Sequence, residues 1–303
     1  MKKLNIVINI VNIIEYVIEI RGNNMDNYLK LRDGIELFYK KDIPEKPLAA
    51  ILINHGFAEH CNRYDYVAKK LMEEDFIVYR YDLRGHGRTK SPKGDIKSFM
   101  DFAKDADEMV DLIQKENPGL PIFMLGHSMG GFITCVYGIE YPNRLQGQIF
   151  SGPAVQRVPQ VEGIKGDLFR IANVFTPKRK IKNALSEDVC SVIEVVEEYN
   201  KDPMVLTEAT MNFYVEFLVK GTDWISKNIS KYKYPCLITH GEKDKIVPKE
   251  IGMFLYNSIS SEDKEIKIYD GLYHEILNEK EKDKILWDMT NWLYKKLGLS
   301  FDA

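Results

Sequence analysis

The sequence predicts an α/β protein built on a mostly parallel, doubly wound sheet flanked by helices, with one helical insertion. Three observations predict it. Short apolar, β-branched runs alternate with amphipathic stretches along most of the 303 residues, the pattern of repeated βαβ units. The stretch "LGHSMGG", residues 125–131, sets a serine between two glycines where such a run meets the next amphipathic stretch. The alternation then breaks off between residues 153 and 229 and resumes afterwards.

A formal net charge of −3, with 45% hydrophobic and 29% charged residues, describes a globular chain with a sizeable core. That balance carries no basic stripe for nucleic acid. Cys61, Cys135, Cys190 and Cys236 have no CxxC or metal-ligand spacing, which fits reduced thiols and a cytoplasmic location. Residues 1–25 stand apart. Asn5, Asn9, Asn12, Glu15 and Glu19 interrupt their apolar stretch and no small-residue cleavage site follows, which argues against a secretory signal and against a membrane span. Two readings stand for this extension. It is a helix whose polar residues fall within about 120° of arc, leaving a broad apolar face, or it is a start-site artefact with Met25 as the first residue.

The elements follow in order. Residues 28–31 and 35–41, joined through "RDG", read as a leading hairpin. Strands are expected at 49–54, 76–81, 122–125, 147–150, 236–239 and 265–269, which with the hairpin make eight, and helices at 64–73 and 99–115. Residues 26–152 and 230–303 thereby form the core, and 153–229 a helical lid with no convincing strand. Within the lid, 164–175, 189–198 and 206–219 read as helices.

The serine explains its glycines. A sharp bend from strand into helix needs a strained backbone and bare neighbours, so Gly126 and Gly130 make room and Ser128 is presented at the carboxyl end of the sheet. The helix N-terminus beside it favours a developing oxyanion. A serine hydroxyl needs a base, and the base needs an orienting acid. The chain offers them in the order serine, acid, histidine: Asp244 in "GEKDKIVP" after one strand, and His274 in "LYHE" after the next. Glu242 and Asp270 are the alternative acids; the first sits too close to its strand and the second would have to fold back over four residues. The other histidines read as structural: His127 packs beside the bend, His86 bonds within "RGHG", and His240 shapes the loop of Asp244. His55 and His60 flank the HG turn, from which Phe57 would offer one oxyanion N–H, paired with that of Met129.

"HGFAEHCNRY", "YDLRGHGRT", "GHSMGG", "DPMV", "HGEKDKIVP" and "GLYHE" together resemble the monoacylglycerol lipase and lysophospholipase group of lid-bearing α/β-hydrolases, from about residue 28 to 297. The resemblance implies the α/β-hydrolase fold, Ser128 as nucleophile, His274 as base, Asp244 as its partner, and Phe57 and Met129 as oxyanion donors. It also implies a place for Glu59 and Arg63 at the polar end of the site, where glycerol is accommodated; a salt bridge beneath the loop is the rival reading of the same pair. The lid departs most from the group's pattern.

The expected activity is therefore hydrolysis of carboxylic esters of single-chain lipids through an acyl-enzyme, with no cofactor and no metal. HExxH, Walker and GxGxxG motifs are absent from the sequence. A small-ester esterase, an acyltransferase or a proline-type aminopeptidase would keep the same fold; a non-catalytic binding protein would be expected to have lost one of the three residues. Met204, Val205, Leu206, Met211, Phe213, Tyr214, Phe217 and Leu218 are too many large apolar groups for a small insertion to hide, so some should line an acyl tunnel or meet a membrane. With the N-terminal extension they would give weak peripheral membrane contact.

Overall fold

A computed structural model describes residues 27–183 and 188–300. The expectation for residues 1–25 therefore lies outside the described residues. The chain forms β1 (Asn27–Lys30), β2 (Glu36–Asp42), β3 (Ala49–Asn54), α1 (Asp65–Glu73), β4 (Phe76–Tyr81), α2 (Met100–Glu116), β5 (Ile122–His127), α3 (Met129–Glu140) and β6 (Gly147–Ser151). After the insertion come β9 (Cys236–Gly241), α8 (Lys249–Ser258), β10 (Lys264–Tyr269) and α9 (Lys282–Lys296). The eight strands lie in the order β1-β2-β4-β3-β5-β6-β9-β10. β1 and β2 are antiparallel to their neighbours and the remaining six strands run parallel.

Five of the parallel strands, from β4 to β9, are buried along their whole length. That explains why they read as continuous apolar runs rather than alternating ones. Val67, Leu71, Ile285, Met289 and Trp292 from α1 and α9 pack with Ile51, Phe123 and Leu125 on one face. Helices α2, α3 and α8 cover the other with Val110, Phe132, Val136 and Leu255. Every parallel strand points its carboxyl end to one edge, where the loops collect.

The insertion differs from its sequence reading in three places. It holds α4 (Ile164–Phe175), β7 (Lys180–Lys182), α5 (Ile193–Lys201), β8 (Glu208–Thr210), α6 (Met211–Tyr214), a π-helical segment Val215–Gly221 and α7 (Thr222–Asn228). β7 and β8 pair antiparallel as a small second sheet. Three residues with a single apolar side chain each leave no periodicity to read, which is why no strand was expected there. The helix expected over 206–219 opens instead as β8 and turns helical only after Thr210, whose hydroxyl accepts the Phe213 N–H. The helix expected from 189 starts at Ile193, because Val189 and Ser191 are drawn onto the core. The Val189 carbonyl accepts from Glu275 N at 2.7 Å, and Ser191 N donates to the Glu279 carboxylate at 2.9 Å.

The bend after β5 is the tightest place in the fold. Ser128 sits at φ 53°, ψ −115°, a left-handed conformation that a side chain adopts only when its surroundings force it. A Cβ on Gly126 would lie 2.3 Å from the Gly130 carbonyl, and one on Gly130 2.0 Å from the Asn54 carbonyl of β3. Gly130→Ala should therefore cost about 3 kcal/mol or more, since only backbone could move out of the way. Gly34→Ala, with nothing within 4 Å at φ +91°, should cost about 1–2 kcal/mol for its dihedral alone. Urea denaturation of the two variants checks the contrast; equal losses would mean that the close approach at Gly130 is not what forbids a side chain.

Candidate active site

The bend holds Ser128 at the carboxyl edge of the sheet, with its own N–H donating to the Ser151 carbonyl at 2.9 Å and its carbonyl accepting from Phe132 and Ala154. The residue is only 8% exposed. It lines a cavity at that edge.

Asp244 and His274 are brought together as the sequence spacing suggested. Asp244 lies in the loop after β9, where its Oδ1 accepts the N–H groups of Ile246 and Val247, both at 2.9 Å. Its Oδ2 accepts from His274 Nδ1 at 2.6 Å, with His240 Nε2 at 3.2 Å. Burial opposes a charge on this carboxyl, but His274 and His240 together hold it well below the usual carboxylate range. Burial likewise works against His274, and the Asp244 charge outweighs it to raise the imidazole above its ordinary value of 6.5. With Nδ1–H given to Asp244, Nε2 is the nitrogen left to accept a proton. Glu242 instead accepts from the Gly271 N–H, and Asp270 is exposed. Neither touches the imidazole.

The remaining histidines are consumed by structure. His127 Nδ1 bonds the Ser151 carbonyl at 3.0 Å and its ring packs 4.7 Å from that of His274. Burial, then the nearness of His274, pushes it down to about 4, so it is neutral beside the charge-bearing ring. His86 accepts the Ala58 N–H at 3.2 Å through Nε2 and is pushed down to about 3, chiefly by burial. His55 Nε2 accepts from Leu83 N at 2.9 Å.

These bonds shape the turn of residues 55–59. Gly56 N donates to Glu59 Oε1 at 2.5 Å, Ala58 N is taken by His86, and Ala58 stands at φ 69°. The N–H of Phe57, between them, has no acceptor among the described residues. Gly56 lies against the bend, since a Cβ there would come within 3.3 Å of Ser128 Cβ. Met129 opens α3, so its N–H is one of the helix's unpaired donors.

A cavity of about 260 Å³ opens on Ser128 and is walled by Phe57, Val158, Phe169, Tyr214, Phe217 and Leu218 among others. Lys182, Asn183 and Gln160 are its polar lining residues besides Ser128, and no carboxylate is among the described residues that line it. Of the apolar group picked out from the sequence, Tyr214, Phe217 and Leu218 face this cavity. Met211 and Phe213 are buried, and Val205 and Leu206 border a separate polar-walled space with Tyr199 and Asp202. Glu59 and Arg63 are not among the lining residues. They form a buried ion pair at 3.0 Å behind the turn, and Arg63 Nη2 continues to Glu275 at 2.5 Å.

Sequence reasoning missed Glu275, which lies 212 positions from the arginine it binds. It also missed the outward face of α4. Ile164, Leu168, Ile171 and Phe175, on one side of that helix, are 57–78% exposed. The spacing signalled an amphipathic helix; nothing in it signalled that the apolar side would face out. No helix of the described residues is long and apolar enough to cross a membrane.

A family described as "Serine aminopeptidase, S33" matches residues 45–281. A monoacylglycerol lipase of Mycolicibacterium smegmatis is 31% identical over 265 residues, covering 87% of this chain and 95% of the relative. Phospholipase YtpA of Bacillus subtilis is 29% identical over 243 residues, covering 80% and 93%. A crystal structure of a monoacylglycerol lipase from Paleococcus ferrophilus superposes with a TM-score of 0.78 at 25% identity, covering 86% of this chain and 99% of that one.

The geometry around His274 separates Asp244 from the other two acids that the sequence offered, Glu242 and Asp270. Asp244→Asn should lower kcat on a p-nitrophenyl ester by about 10⁴-fold, the loss expected when an imidazole is left in the wrong tautomer. Asp270→Asn and Glu242→Gln should stay near the unmodified rate. Loss of activity in Asp270→Asn with retention in Asp244→Asn would reverse the assignment.

Proposed function

Because the chain belongs to the serine aminopeptidase S33 family and is a carboxylic ester hydrolase, we propose that it cleaves esters of single-chain lipids, monoacylglycerols or lysophospholipids, through an acyl-enzyme on Ser128. Ser128 Oγ attacks the ester carbonyl as His274 Nε2 takes its proton, and Asp244 steadies the imidazolium. The N–H groups of Phe57 and Met129 receive the oxyanion. His274 returns the proton to the departing alcohol, then activates a water that attacks the acyl carbonyl and frees the serine. Glu59 and Arg63 act at the polar end of this site from behind the turn.

The observation that carries this reading is the apolar cavity opening on Ser128. An aminopeptidase must hold the α-ammonium of its substrate, which calls for a carboxylate in the wall. The wall here offers a lysine and no acid among its described residues. An alkyl chain fits such a lining, and each buried methylene contributes about 0.8 kcal/mol. The insertion of residues 153–229 then serves as the lid over that chain. On p-nitrophenyl esters from acetate to palmitate, kcat/KM should climb with chain length until the cavity is filled, and 1-monoacylglycerols and lysophosphatidylcholine should be cleaved. A profile peaking at acetate, or preference for an amino-acid amide, would overturn the lipid reading.

The outward stripe of α4 supplies the membrane contact. Phe169 of the same helix lines the cavity, so a lipid leaving the bilayer beneath α4 meets the cavity wall at once. Lys165, Lys178 and Arg179 stand exposed on and just beyond the helix, which favours an anionic surface. Burying Leu168 and Phe175 in the bilayer is worth about 1.5–3 kcal/mol each. The double variant Leu168→Asp/Phe175→Asp should lose more than about tenfold in binding to phosphatidylglycerol vesicles while keeping its activity on a short soluble ester. Unchanged sedimentation would remove α4 from the contact.

A further inference from the structure

Arg63 joins two parts of the site that the sequence keeps far apart. Its Nε meets Glu59 Oε2 at 3.0 Å and its Nη2 meets Glu275 Oε2 at 2.5 Å. Glu59 is part of the turn that carries the Phe57 N–H, since its Oε1 also accepts from Gly56 N at 2.5 Å and from the Tyr64 hydroxyl at 2.9 Å. Glu275 directly follows His274, and Asn278 Nδ2 donates to its Oε2 at 2.8 Å. All three ionic side chains are at most 10% exposed, and the Tyr199 ring lies 4.9 Å from the guanidinium on the insertion side. Two buried carboxylates share one guanidinium. The space among them is a void of about 10 Å³, also bordered by His127, which is room for one water at most. No alcohol fits there, so these groups work on the site without touching the reacting atoms.

We propose that Glu275 is a positioning residue for His274: through Arg63 it ties the histidine loop to the turn that offers the Phe57 N–H, and its charge supports the imidazolium. This inference rests on the reading of His274 as the base. The charged and titratable groups facing His274 are Asp244 at its Nδ1, His127 against its ring, and Glu59 and Glu275 with Arg63 behind. The carboxylates favour the protonated ring, as Asp244 does, while neutral His127 adds no opposing charge. The two sharing carboxyls are driven apart. Glu59 is held down to about 2 against its burial, with the Arg63 guanidinium as the lasting positive charge beside it, and burial pushes Glu275 up.

The sign of the effect follows. A base must be neutral to act, so activity rises with pH through the imidazole pKa, and removing a nearby negative charge moves that rise to lower pH. The test is the pH dependence of Ser128 labelling by a fluorophosphonate, together with kcat and KM for a p-nitrophenyl ester, on Glu275→Gln and Glu275→Asp. Glu275→Gln should shift the acid limb down by about half a pH unit and lower kcat by about tenfold or more with little change in KM, the loss typical of outer partners of an active group. Glu275→Asp should keep the limb near its original pH while recovering part of kcat. A limb unmoved in Glu275→Gln, with only the melting temperature lowered, would reduce Glu275 to a structural ion pair and overturn the inference. Labelling of the unmodified enzyme that shows no acid limb would instead overturn the base assignment of His274.

Discussion

The close approach of α3 to β3 beneath Ser128 governs the rest of the site. The Gly130 backbone presses on the Asn54 carbonyl, and the Gly126 backbone on Gly130. That contact leaves the serine no ordinary backbone conformation, and the strain at φ 53° persists because the sheet on one side and the helix on the other over-determine it. The same contact sets the end of β3 beside the start of α3. The HG turn that follows β3 therefore arrives next to the bend at Ser128, with Gly56 against it. A looser crossing would give up the conformation of Ser128 and the seat of that turn together.

Around that bend the protein handles buried charge by pairing and by enforced neutrality. Asp244 is surrounded by two backbone N–H groups and two imidazoles, enough partners to keep it ionised at 6% exposure. His55, His86 and His127 are depressed by burial, so three of the imidazoles around the site add hydrogen bonds without adding positive charge. Each has a fixed acceptor or donor that also fixes its tautomer. The result is a field that favours one protonated ring, His274, in preference to its neighbours.

Much of this was legible in the sequence because it rested on local signals. The strand positions, to within one or two residues at their ends, the bend at Ser128, the loop positions of Asp244 and His274 and the antiparallel hairpin of β1 and β2 all follow from short windows in which propensity and pattern agree. Strands β3 and β4 fall where their apolar runs fall. What escaped was decided by tertiary contact. The start of α5 was set by the Val189 carbonyl and by Glu279, and β7 and β8 were too short to carry a period. Glu275 stood in plain view after His274, but its partner Arg63 lay 212 positions away, and no spacing rule connects the two. The resemblance that placed Glu59 and Arg63 near the alcohol could not say whether they face the cavity or stand behind it.

The insertion shows how one segment answers two demands on apolar surface. Its base is fastened to the loop between β4 and α2 and to the turn after β3 by polar contacts. Lys178 and the Thr210 hydroxyl meet Asp95, Asn212 Nδ2 donates to the Ile96 carbonyl, and Leu206 N donates to Ala58. Such contacts fix position without consuming hydrophobic area, so Tyr214, Phe217 and Leu218 remain free to wall the cavity. Helix α4, tied to Asp223 through its own Arg170 and through Arg157, which also pairs with its Asp167, has no sheet left to cover. Its Phe169 reaches the cavity while its opposite side keeps Ile164, Leu168, Ile171 and Phe175 in water. That exposure is costly for a chain that never meets an apolar surface. Under the membrane contact proposed above it is offset, because the area left bare on α4 would be buried each time the enzyme took its substrate from such a surface.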